Sequence, residues 1–109
     1  MTWSIETLNA AVDEEIKALP VDTRARLVRI AELITTVGLE NVREPHIKHL
    51  EGSLWEMRLK SKDGISRTLY ATARKKRVVI VRVFIKKTEK TPRREIEIAL
   101  TRAKEVQND

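Results

Sequence analysis

The chain has 109 residues, 41% of them hydrophobic, with no cysteine and a formal net charge of +6. That apolar share supports one modest core and excludes a disordered tail, and the missing cysteines exclude disulfides and thiolate metal sites. The charge is segregated: residues 1–57 hold 6 Lys/Arg and 10 Asp/Glu, residues 58–109 hold 16 and 6, which is the electrostatic footprint of a polyanion binder. A single domain over 1–109 is expected. No N-terminal apolar segment approaches the length of a signal peptide or membrane span, so a cytoplasmic protein with no membrane contact is expected.

In chain order, TWSIETL (2–8) predicts a short strand with Trp3 and Ile5 alternating inward. Asn9 is placed to cap a helix over about 10–18, with Val12, Ile16 and Leu19 on one face, and Pro20 breaks it. Asp22 is placed to cap a second helix, roughly 23–37, whose stripe is Leu27, Ile30, Ala31, Ile34 and Val37. Gly38 is placed to end it, and the short link predicts a helical hairpin. From His46 the apolar period falls to 2. HIKHL reads as a short strand or connector, and SLWEMRLKS (53–61) as a clear strand. Asp63-Gly64 signals a hairpin turn. ISRTLYATA (65–73) is the next strand, RKKR (74–77) a polar turn, and VVIVRVFIK (78–86) the most apolar strand. Pro92 suits the first turn of a last helix, about 92–106, with Thr91 as its cap and Ile96, Leu100 and Ala103 inward.

Strand pairing turns this pattern into a spatial expectation. A hairpin closed by Asp63-Gly64 sets Lys60 opposite Arg67 and Arg58 opposite Leu69. A turn at 74–77 sets Ala73 opposite Val78, Arg67 opposite Phe84 and Leu69 opposite Arg82. Directly opposed residues share a sheet face. One face then carries Trp55, Met57, Leu59, Thr68, Tyr70, Val79, Val81, Val83 and Ile85 as core. The other carries Glu56, Arg58, Lys60, Arg67, Leu69, Ile80, Arg82, Phe84 and Lys86, a basic, wet surface with one aromatic. Such a surface fits single-stranded nucleic acid, because arginines grip phosphates and an aromatic stacks a base.

Three pieces in this order and spacing resemble a known family. They are K-x-L-x-x-x-L-W-E-x-R (Lys48 to Arg58), S-R-x-L-Y (Ser66 to Tyr70) and F-I-K-K-T-x-K-T-P-R-R-E-I-E-x-A (Phe84 to Ala99). Together they resemble the RelE/ParE toxin superfamily, in its phage-derived HigB-like branch. One departure is Ser66, which stands where a large aromatic often precedes the arginine. The resemblance implies an α+β fold: a small antiparallel sheet with an N-terminal helical hairpin on one face and a C-terminal helix. It implies the toxin of a type II toxin–antitoxin pair, an endoribonuclease that cuts mRNA on the ribosome and inhibits translation. The implied partner besides mRNA is a helix-turn-helix antitoxin. No cofactor is implied.

Cleavage by the 2′-hydroxyl on the adjacent phosphate needs a base, charge stabilisation and an acid. His46 and His49 precede the basic strands and read as structural or surface residues. They lack the carboxylate spacing of a metal site, so no metal is expected. Lysines and arginines remain. Neighbouring cations favour a neutral lysine. Arg58 and Arg67 are therefore assigned to the scissile phosphate, and Lys86 or Lys87 to proton transfer. Phe84 is assigned to base stacking, and Lys60 and Arg82 to flanking phosphates. Lys90, Arg93 and Arg94 extend the positive edge as RNA-positioning contacts. Two rivals stand beside this: a ParE-like DNA gyrase inhibitor, which needs no catalytic cations, and an RNA-binding module without catalysis.

Overall fold

Strand β1 (Ser4–Thr7) leads into helix α1 (Ala10–Lys17), which starts where Asn9 accepts the Val12 amide at 3.2 Å. The structure is a computed structural model, and it describes residues 2–42, 46–62, 64–86 and 89–106, with the His46 side chain also outside the description. Helix α2 (Val21–Val37) begins directly after Pro20, so Asp22 lies in the first turn and does not cap it. Proline supplies the extended cap conformation and lacks an amide that would need a partner. Gly38, at φ 91, ends the helix in a conformation that favours glycine. A single 3₁₀ turn, Leu39–Asn41, follows.

Strands β2 (His46–Glu51), β3 (Leu54–Ser61), β4 (Gly64–Ala73) and β5 (Arg77–Lys86) precede helix α3 (Arg93–Ala103). The sheet order is β1-β5-β4-β3-β2. β1 runs parallel to β5 and the other pairs are antiparallel. The fold is α+β, as expected, but its sheet is mixed. HIKHL is a full strand, and the N-terminal segment forms the parallel edge.

The β3–β4 register differs from the expected one by two residues. Ser61 pairs with Gly64, so Arg58 faces Arg67 and Lys60 faces Ile65. A two-residue displacement keeps parity, so every side chain of β3 keeps its face. Asp63, half of the expected turn signal, lies outside the described residues.

At β4–β5 the expected pairs Arg67↔Phe84 and Leu69↔Arg82 hold. Beyond them a bulge between Leu69 and Tyr70 slips the register, giving Tyr70↔Ile80 and Ala73↔Arg77. The cause is the turn. Arg74, Lys75 and Lys76 close it as three residues, with Lys75 and Lys76 at φ 64 and 54, and Arg77 already in the strand. One extra residue in β5 reconciles that turn with the register further on. The bulge exchanges faces: Ile80 packs with Val12, Leu19 and Leu27, while Val81 packs with Leu69, Phe84 and Ala99. The expected placement of Ile80 on the basic face, and of Val81 on the opposite one, is corrected accordingly.

Both faces of the sheet are covered. Leu27, Ile30 and Ile34 of α2 and Val12 of α1 bury one face. On the other, Ala99 packs against Leu54, Leu69, Val81 and Phe84, with Ile96 and Leu100 beside it. The expected wet face is therefore largely the floor beneath α3. Its apolar residues, Leu54, Leu69, Val81 and Phe84, gain more from burial than the cations lose, because the cations are met by carboxylates.

Candidate nucleic-acid interface

Arg58 and Arg67 stand directly opposite each other on β3 and β4. Glu56, two residues along the same face of β3, reaches between them. Its Oε1 accepts from Arg58 Nε at 2.5 Å, and its Oε2 lies 3.9 Å from Arg67 Nε. The side chains of Glu56 and Arg67 are 0% exposed, and that of Arg58 is 17% exposed. Thr91, the expected cap of α3, instead donates its hydroxyl to Glu56 and accepts from Arg58 at 3.4 Å. Pro92 takes the cap position. Arg67 also donates to the Lys90 carbonyl at 3.2 Å. Burial, then the adjacent Arg58 charge, push the Arg67 guanidinium below its ordinary value. The chain entering α3 thus closes over Arg67 and leaves Arg58 at the surface.

The other expected site residues separate. Phe84 is 9% exposed and packs in the core under α3, so its ring has no open face for a stacked base. Arg82 donates to Glu95 and Glu15, each at 2.6 Å, and these hydrogen bonds hold its guanidinium above its ordinary value. A phosphate would have to displace two carboxylates there. Arg93 pairs with Glu51 at 2.6 Å and lies 3.6 Å from Glu97. Lys60 and Lys86 are exposed, both in register with Ile65, one from each side. Lys90 is also exposed. Lys87 lies outside the described residues.

Of the histidines, His49 is turned to the β2–β3 connection, where its Nε2 lies 2.8 Å from the Gly52 carbonyl and its ring 4.9 Å from that of Trp55. His46 is in register with Arg58, closer to the arginine pair than the sequence suggested. Among the described residues no group of three or more acidic or histidine side chains is placed to hold a metal ion.

Two depressions meet at Arg58. One, of about 720 Å³, lies between α2 and the β3–β4 hairpin and is lined by Arg26, Arg29, Arg58, Lys60 and Glu89, among others. The second, about 410 Å³, lies toward the start of α3 and adds Lys48, Lys90 and Thr91. Sequence reasoning missed Arg26, Arg29 and Lys48, which sit in the acidic half of the chain. It also missed Glu56 as a bridge. The available signal was the parity that puts Glu56 on the same face as Arg58.

A mixed sheet clad by helices on both faces, with cations gathered around one arginine, defines a small α+β protein of the RelE-toxin fold. An arginine-to-alanine double mutant of Escherichia coli toxin RelE in the free state superposes with a TM-score of 0.62 at 15% identity, over 94% of this chain and 95% of that one. The archaeal RelE–RelB complex from Pyrococcus horikoshii gives 0.60 at 17%, over 83% and 100%, and the toxin–antitoxin complex RelBE2 from Mycobacterium tuberculosis 0.57 at 20%, over 81% and 95%. The chain belongs to the phage-derived Gp49-like protein family, whose sequence model matches residues 14–104. No curated protein matches the chain. The RelE-like fold expected from motif order is borne out, and the family match agrees with the phage-derived origin that the resemblance implied. Among the described residues no helix is long and apolar enough to cross a membrane.

Proposed function

We propose that this chain is the toxin of a type II toxin–antitoxin pair, of HigB-like type, and that it cleaves mRNA on the ribosome without a metal ion. One observation carries the reading: a surface arginine, Arg58, backed by a buried arginine and a buried carboxylate, at the meeting point of two basic depressions. The fold shared with RelE toxins and membership of a phage-derived family support it.

In the proposed reaction the 2′-oxygen attacks the adjacent phosphorus and the bond to the 5′-oxygen breaks. A 2′,3′-cyclic phosphate and a 5′-hydroxyl result. The 2′-proton leaves to a base and a proton returns to the 5′-oxygen. Arg58 holds the phosphate and stabilises its growing charge. Arg67 acts from beneath, through the field it adds and through Glu56, which aims the Arg58 guanidinium. Proton transfer is assigned to Lys86 and Lys87, and Lys60 and Lys90 position flanking phosphates. The partner that silences the toxin is an antitoxin, a reading that neighbours solved as toxin–antitoxin complexes support, and its helix-turn-helix character is part of the proposal.

The burial of Arg67 favours one second reading, an RNA-binding module without cleavage, since a single partly exposed arginine binds more readily than it cuts. Mapping mRNA 5′ ends after induction separates the two. Codon-linked cuts that disappear in Arg58→Ala, and when translation is blocked, are expected. Growth arrest with intact messenger would refute cleavage.

A further inference from the structure

Six of the described arginines are matched to carboxylates. Arg77 pairs with Glu6, Arg82 with Glu15 and Glu95, Arg93 with Glu51, Arg102 with Glu15, and Arg58 and Arg67 share Glu56. Among the described residues Arg24, Arg26, Arg29 and Arg94 make no such pair, and of these Arg26 and Arg29 line the depression that reaches Arg58. Among the described residues neither has a carboxylate partner, and Arg26 donates only to the Lys60 carbonyl. Both are exposed.

Their position follows from the packing of α2. Leu27, Ile30 and Ile34 are buried against the sheet, so Arg26 and Arg29 border that stripe on the side of the β3–β4 hairpin. There they line the larger depression with Arg58 and Lys60. β2 begins at His46, opposite Arg58, so β3 beyond Arg58 has no outer strand among the described residues. The depression passes this edge. It connects the surface of α2 to the face on which Arg58 lies.

The geometry points to Arg26 and Arg29 as a second phosphate-binding site, along which the backbone of a single-stranded RNA runs from Arg58 over Lys60 onto α2. Neither arginine is ion-paired among the described residues, although Glu89 lines the same depression, so a phosphate reaching them displaces no carboxylate from a pair. The apolar floor of Ile30, Leu33, Leu59 and Ile65 offers ribose and base a surface that needs no hydrogen bonds. This assignment deepens the RNA reading and rests on it.

The test is titration of the full chain with a single-stranded oligoribonucleotide of mixed sequence at several salt concentrations. Replacing both residues (Arg26→Gln with Arg29→Gln) is expected to weaken binding about tenfold at low salt and to flatten the log–log salt slope by about 1.4, two phosphate contacts' worth. Arg29→Gln alone, which disturbs no hydrogen bond of the fold, is expected to give about half that slope change, and the Arg→Lys pair is expected to retain binding. An unchanged slope, with the wild type binding, overturns the site and leaves cleavage, judged by 5′-end mapping, untouched. A wild type that binds no RNA also overturns it. Loss of poly-glutamate binding with RNA binding retained would assign the groove to an acidic protein instead.

Discussion

Glu56 lies between two arginines with no exposed surface of its own. Removing one member of a buried ionic group strands the others, at a cost of about 3–5 kcal/mol. Glu56→Gln is therefore expected to lower the unfolding free energy by about 3 kcal/mol in urea titration. A loss under about 1 kcal/mol would mean that Arg67 finds its support elsewhere. Tyr70 is a second residue whose burial has a measurable sign. Its phenol is pushed up to about 12 by desolvation, against about 10 in an unfolded chain. Above the unfolded value the unfolded chain loses a proton that the folded one keeps, so stability falls as pH rises through that window. Tyr70→Phe is expected to remove that part of the pH dependence, about 1.4 kcal/mol per pH unit, and to change little at neutral pH. Parallel wild-type and variant curves between pH 10 and 12 would contradict the assignment.

At the scale of elements, alternation in β3 and β4 was enough to place Arg58 and Arg67 on one face, because parity survives a two-residue error in the turn. The bulge at Val81 was not legible. It follows from a three-residue turn whose lysines adopt positive φ without a glycine to announce it. Lys76→Gly is expected to hold or raise the melting temperature, whereas Lys76→Val should cost about 1–2 kcal/mol. Equal stability of the two would show the turn to be relaxed. The carboxylates that meet Arg82 were also hidden. Glu15 and Glu95 come from helices 67 and 13 residues away in sequence, and no local pattern announces such meetings. Thr91 misled for a related reason. A threonine before proline reads as a cap, but a buried carboxylate nearby is a stronger acceptor for its hydroxyl.

Across the whole molecule, the net charge of +6 understates how the cations are arranged. Matched arginines hold elements together, and Arg26, Arg29, Lys48, Lys60 and Lys90 surround the two depressions that meet at Arg58. Glu89 is the carboxylate that lines both. Glu89→Gln is expected to tighten RNA binding severalfold by removing repulsion, read by the same titration. A fall in cleavage with binding unchanged would instead make Glu89 part of proton transfer.

The last feature concerns the margin of the sheet rather than its faces. β1 accompanies β5 only as far as Ile80. Beyond it, Glu15 accepts the Val83 amide at 3.1 Å and Arg102 donates to the Val81 carbonyl at 2.8 Å. Two side chains that also pair with each other thereby occupy backbone groups that would otherwise welcome a foreign strand. The clasp therefore occupies the open margin of the chain's most apolar strand, where strand-to-strand self-association would otherwise start. Glu15→Ala should accordingly show concentration-dependent light scattering on storage, ahead of any loss of secondary structure, and a variant that stays monodisperse would show the margin to be safe without it.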